Sequence, residues 1–285
     1  MAAFAAAALL ATTGACQSEK GSSDEANQMM EQAYKLKNYD RLMLLADSLE
    51  KAGALMPANA NYWRGYACDR MKRKDEAAKY WRASMAAAEK STNEEDIDVY
   101  VKSASRLANQ LCIDGDYEGT LEMAMPVVTR LEELECDTTS DYVNLLIYIG
   151  LSQVSTGQSE EDTQIGFFRA CEKHRQNIKR NHSDEAYKDA IAGLVNIAHY
   201  CVQAQKYEPA LYYTSSFGEL LMEYEQHPGA DTNYVDRQVG RYTIYKSVAL
   251  ERLGRKEEAK EVYDAFMATK FSKSAEGQKM KEWKE

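Results

Sequence analysis

Apolar positions along this chain keep a helical beat. Tyr142, Leu145, Leu146 and Ile149 stand at intervals of three and four, which places them on one stripe of a helix. Short polar turns interrupt such segments six times: Lys37-Asn38-Tyr39-Asp40, Lys72-Arg73-Lys74-Asp75, Gly115-Asp116-Tyr117-Glu118, Gly157-Gln158-Ser159-Glu160, Gln205-Lys206-Tyr207-Glu208 and Gly254-Arg255-Lys256-Glu257. The first position of each is Gly or a flexible polar residue, suited to ending a helix in a left-handed conformation. An acidic residue then falls in the first turn of the next helix, facing the positive end of its dipole. Tyr39, Tyr117 and Tyr207 sit two residues into their turns, where a ring can fold back onto the first helix. Small or apolar residues follow at Leu42, Ala77, Thr120, Ala210 and Ala259, and the aromatics Trp81 and Tyr263 come four residues after their alanines. The pattern predicts an all-α chain of about six helical hairpins over residues 24–270.

The stretch from Gly65 to Ser84, GYACDRMKRKDEAAKYWRAS, holds the unit in its plainest form. Gly65 and Ala77 supply small-residue contacts between two helices, and Trp81 is the aromatic that plugs them. Gly65, Ala77 and Trp81, then Gly254, Ala259 and Tyr263, with the turns at Gly115 and Gln205, resemble the tetratricopeptide repeat. That resemblance spans about residues 24–270. It implies a right-handed superhelical solenoid packed through Gly65, Ala77, Trp81, Gly115, Tyr117, Gly150, Gly157, Tyr207, Ala210, Gly254, Ala259 and Tyr263. Turn starts at 37, 72, 115, 157, 205 and 254 give steps of 35, 43, 42, 48 and 49. The usual period is about 34, so the later hairpins should have helices of about twenty residues, roughly 30 Å long.

Breakers agree with these boundaries. Pro57 precedes the second hairpin, Pro228-Gly229 precedes the last, and Pro209 falls in a first turn, where its missing donor costs nothing. Pro126 lies mid-pattern and predicts a kink or break. Residues 271–285 read as a polar tail, a short helix or a frayed end, without the look of a proper capping helix.

The N-terminus has a different texture. Residues 1–16, MAAFAAAALLATTGAC, are an apolar run too short to span a bilayer, ending in small residues and a cysteine. Thr13-Gly14-Ala15-Cys16 resembles the lipobox of bacterial lipoproteins, which implies export and lipidation at Cys16; the other reading is an Ala-rich helix with an incidental cysteine. Residues 17–23, QSEKGSS, read as a flexible tether. Charge narrows the partners: 35 basic against 45 acidic residues leave a net charge of -10, with no basic stripe for nucleic acid.

No stretch carries a catalytic motif. Asp114-Gly115-Asp116-Tyr117-Glu118-Gly119 opens like a calcium loop, yet Met125 stands where the bidentate Glu is needed, so it reads as a repeat turn. His174, His182, His199 and His227 show no HExxH and no pairing with cysteines. Cys68, Cys112 and Cys201 lie late in first helices as small apolar fillers, and no CxxC occurs. The expectation is a non-enzymatic chain with no cofactor and no metal. The repeat resemblance implies a concave face lined by Tyr62, Tyr66, Asp69, Arg70, Asn109, Asn144, His199, Tyr242, Tyr245 and Arg252. Tyrosine and arginine suit a peptide or protein interface, because they combine large area with polar tips; equally, tyrosines fill the space between long helices. With its signal-like start and long diverged repeats, the chain resembles the extracytoplasmic N-terminal region of Bacteroides-group sensor histidine kinases. That implies a periplasmic, membrane-tethered sensor module whose kinase would lie beyond residue 285. A stand-alone lipoprotein for outer-membrane assembly or glycan uptake is the alternative, and a helical-toroid enzyme the remote one.

Overall fold

The structure, a computed structural model, describes residues 19–158 and 160–282, with side chains from 25 to 158 and from 166 to 282. The signal-like segment and Cys16 lie outside the described residues. Among the described residues there are thirteen α-helices, one 3-10 turn and no strand. They divide between Lys90 and Ser91 into two compact units, where the sequence offers one uninterrupted repeat region.

The first unit holds α1 (Glu19–Lys35), α2 (Tyr39–Lys51), α3 (Pro57–Arg70) and α4 (Lys74–Ala88), each packed on the next. α1 begins inside the stretch expected to be a tether. Ala26, Met30 and Ala33, four and three apart, are buried and anchor this helix to Leu42 and Ala46 of α2. The second unit holds α5 (Glu94–Asp114), α6 (Tyr117–Glu133), α7 (Ser140–Ser155), α8 (Glu160–Asn181), α9 (Asp184–Gln203), α10 (Tyr207–Glu225), α11 (Thr232–Arg252) and α12 (Lys256–Ala268). After them come a 3-10 turn, Phe271–Lys273, and α13 (Ala275–Glu282). In this unit α5, α7, α9 and α11 contact one another in order as one layer, while α6, α8 and α10 each bridge two successive members of it.

All six turns join two helices, and the first residue of each is left-handed: φ is 55° at Lys37, 62° at Lys72, 79° at Gly115, 73° at Gly157, 60° at Gln205 and 79° at Gly254. The following amide closes the helix end on a carbonyl five residues back, as from Asn38 to Ala33, Arg73 to Cys68 and Arg255 to Leu250. This double bond pattern satisfies carbonyls that a helix end otherwise leaves bare. Asn38 and Asp116 cap the next helix, accepting from the amides of Arg41 and Gly119. The five small or apolar positions after the turns are all buried, Leu42, Ala77, Thr120 and Ala210 completely so and Ala259 nearly.

Glycines mark where elements touch. A Cβ on Gly65 would stand 2.5 Å from Trp81 Cδ1, so the fully packed indole occupies the glycine's missing side chain. Gly150 receives Phe167 in the same way, and Gly166 lets the α8 backbone lie on that of α7. In the last hairpin Phe266 is fully buried, whereas Tyr263 is half-buried with its ring 5.7 Å from Phe266.

The kink expected at Pro126 is corrected. α6 runs unbroken through Pro126, because the proline sits on the exposed side while Ala124, Val127, Val128 and Leu131 hold the helix down. The freed carbonyl therefore faces water, which lowers the cost of the missing bond. The tail contains a short helix, one of its two expected forms, and is docked: Phe271 is buried with its ring in the space left by Gly240 of α11, and the Ser274 hydroxyl accepts from Gly277 N at the start of α13.

Candidate functional site

In the first unit, Tyr62, Tyr66, Asp69 and Arg70 share the last turns of α3, as expected. Tyr66 is buried, and its ring meets that of Tyr34 from α1 edge-on, with centroids 5.0 Å apart. Its hydroxyl donates to Tyr34 Oη at 3.1 Å and accepts from Arg70 Nε at 3.0 Å. Burial, with the Tyr34 hydrogen bond second, raises the Tyr66 pKa above its ordinary value. Tyr62 lies against Trp63 and Tyr66, with centroids 5.5 and 6.3 Å away. Tyr66 is thus a packed member of an aromatic cluster, and the half-buried Tyr62 and exposed Arg70 are its solvent edge.

The sequence reading missed Arg64 on the opposite face of α3. It is 8% exposed and donates to Asp47 and Glu50 of α2 and to Asn61. An arginine wedged into the run Tyr62-Trp63-Arg64-Gly65-Tyr66, one helix after two acids, was the available signal.

In the second unit the layer of α5, α7, α9 and α11 carries two hollows. The larger, about 550 Å³, lies between the C-terminal ends of α5, α7 and α9 and the start of α6. Asn109, Tyr117, Ser155, Tyr200 and Gln203 give it polar tips, with buried Leu151 and exposed Ile113 as its apolar part. Tyr117, half-buried at the start of α6, lines this hollow together with Asn109, Cys112 and Ile113 of α5. Tyr148 of α7, which the sequence reading missed, is strongly desolvated, and its pKa is driven up by burial, with Tyr200 and Cys112 adding to it. Arg106 of α5 pulls the same group the other way. Cys112 lies behind it, its Sγ 3.6 Å from the Ser152 hydroxyl and 3.7 Å from that of Thr120; burial raises its pKa and leaves a thiol rather than a thiolate.

The smaller hollow, about 310 Å³, lies where α9, α11 and α13 meet. His199 and Tyr245 are brought together there, with ring centroids 5.7 Å apart, beside the Arg241–Glu276 ion pair. Burial first, and Arg241 second, hold the His199 pKa below its usual value.

Three expected positions stand elsewhere. Tyr242 turns toward α10, where its ring covers Gly218 and meets Phe217 edge-on at 5.9 Å, and Lys246 Nζ donates to its hydroxyl. Three residues along a helix leave side chains about 60° apart on one face, enough here for Tyr245 to reach His199 of α9 while Tyr242 packs on α10. Arg252 is exposed at the end of α11, and Asn144 is half-buried on α7 two turns before Leu151.

Asparagine, glutamine, serine and tyrosine tips offer donors and acceptors together, the combination that pairs with a peptide bond. Among the described residues no cluster of three His, Cys, Asp or Glu side chains is placed to hold a metal ion, and no helix is long and apolar enough to cross a membrane.

No family model matches the chain, and no curated protein does. Among solved structures it is similar to the crystal structure of BtubC (BKLC) from P. vanneervenii, with a TM-score of 0.54 and 12% identity, over 88% of this chain and 91% of that one. At that identity the likeness is one of fold.

Proposed function

We propose that the chain is a non-enzymatic, right-handed scaffold of tetratricopeptide-like hairpins that binds a peptide or protein partner on the layer formed by α5, α7, α9 and α11. The observation that carries this reading is the 550 Å³ hollow on that layer, where Asn109, Tyr200 and Gln203 present amide-matching tips beside Leu151 and the exposed Ile113. An extended peptide laid there would place side chains on Ile113 and Leu151 and its backbone on the polar rim. The wider role is that of an extracytoplasmic sensory region in a membrane-bound signal-transduction system, tethered through Cys16.

Selection of displayed random peptides on the full chain tests the binding face. Asn109→Ala combined with Tyr200→Ala should weaken selected peptides at least about tenfold, the loss of two good hydrogen bonds, with helicity kept. Peptides that bind the double variant as tightly as wild type would remove this surface from the proposal. Mass spectrometry of the membrane fraction tests the tether: an acylated Cys16 at the mature N-terminus is expected, and an unmodified Cys16 in the soluble fraction refutes it.

A further inference from the structure

A third hollow, about 240 Å³, lies between α8, α9 and α10, apart from the 550 Å³ hollow. Its walls are largely apolar and aromatic, from Phe168, Leu194, Leu220, Tyr212 and Tyr213. Two side chains in these walls hold polar atoms that nothing in the protein satisfies. Tyr213 is 1% exposed and its hydroxyl has no hydrogen-bond partner; His174 is 7% exposed and its Nε2 has none, that atom packing on Gly193 of α9. Buried hydroxyls are nearly always paired, so the Tyr213 orphan in the wall of this hollow points to a group that enters it.

The chemistry of the walls narrows that group. Burial holds the His174 pKa down to about 4, so at neutral pH the ring is uncharged and exchanges hydrogen bonds rather than charge. Glu172 and Arg175 line the hollow with opposite signs, and Arg175 also faces Glu219 at 3.8 Å, so the site has no net preference for an ion. Phe168 and Tyr212 leave apolar surface open at 47% and 57% exposure. A dry cavity of about 150 Å³ accepts a benzene ring; this one has room for a fused pair.

We propose that this hollow binds a small neutral aromatic molecule carrying one ring N–H or hydroxyl, of the indole or phenol class, with the Tyr213 hydroxyl as its polar partner. The ring replaces solvent against Phe168, Leu194 and Leu220, and its single polar group meets the Tyr213 hydroxyl. The site is independent of the peptide-binding face and shares no residue with the hollow there.

Calorimetric titration of the full chain with indole, phenol and toluene tests it. Saturable one-to-one binding of indole or phenol is expected, with toluene weaker by about five- to tenfold for lack of the hydrogen bond. Tyr213→Phe should weaken indole or phenol by a similar factor without lowering the melting temperature, since it deletes an unpaired hydroxyl. Ser216→Trp, at the half-buried margin, should close the hollow and abolish binding; it decides the matter alone should Tyr213→Phe fold poorly. Asn109→Ala with Tyr200→Ala should leave indole binding unchanged. No saturable binding of indole or phenol up to about 10 mM, well beyond the weakest affinities of interest, would mean that water satisfies these atoms, and the proposal falls. It falls equally if toluene binds as well as indole, if Ser216→Trp binds as wild type, or if the Asn109 and Tyr200 variant loses indole.

Discussion

Gly65→Ala is the sharpest probe of how the hairpins are held together. A methyl at this position would sit 2.5 Å from Trp81 Cδ1 and 2.6 Å from Nε1, about an ångström inside ordinary contact. Trp81 is 2% exposed, so the indole has no vacant side to move toward. Overpacking of this kind costs about 1–3 kcal/mol. Alanine is the better helix former by about 1 kcal/mol, which offsets part of the clash. The net expectation is destabilisation of the first unit by about 1–2 kcal/mol, or a melting temperature lower by about 4–8 °C per kcal/mol for a unit of this size. Urea titration followed by far-ultraviolet circular dichroism, fitted with separate transitions for the two units, reads it out. Repeating the substitution in a Trp81→Leu background isolates the cause: with the indole gone, Gly65→Ala should become neutral or stabilising, a coupling of about 2 kcal/mol. If Gly65→Ala is as stable as wild type, or costs the same with and without the indole, Trp81 does not fill the glycine's place and the hairpin packing described above is wrong.

Other expectations can be checked with the same instruments. Lys72→Gly and Gln205→Gly relieve side chains from left-handed backbone (φ 62° and 60°) and should each stabilise by about 0.5–1 kcal/mol; a lower urea midpoint for both would contradict the turn geometry. Arg64→Met should destabilise the first unit by about 1–2 kcal/mol, because Asp47 and Glu50 lose their partner but are open enough to rehydrate; an unchanged midpoint would show the cluster to be dispensable. For His174, the folded pKa of about 4 lies below the unfolded value near 6.5, so its stabilising contribution is complete above pH 6.5 and fades as pH falls toward 4. By linkage the second unit should lose about 2 kcal/mol between pH 7.5 and pH 5 through this residue alone. His174→Gln should flatten that slope, and equal slopes in wild type and variant would place the proton elsewhere.

Much of the fold is written locally. Each turn opens with a residue that tolerates a left-handed conformation and continues with an acid at the next helix start, so all six hairpins and the long later helices could be read without knowing any contact. The buried positions after the turns, and the glycines that receive Trp81 and Phe167, follow from the same register, since helical spacing fixes which side chains share a face. Whether a given tyrosine on that register faces a groove or a neighbouring helix was decided only by tertiary packing. Tyr66 is spent on Tyr34, Tyr242 on α10, and Tyr245 alone of that pair reaches the layer with His199. Arg64 and the docking of Phe271 on Gly240 were equally invisible, because each depends on partners brought from another helix. α6 survives Pro126 for a similar reason: propensity says break, and a buried opposite face overrules it. Local backbone chemistry therefore fixes where this chain turns and how long its helices run. The angle at which those helices meet decides which polar tips remain available to a ligand, because a few tens of degrees of rotation separate a packed ring from an exposed one.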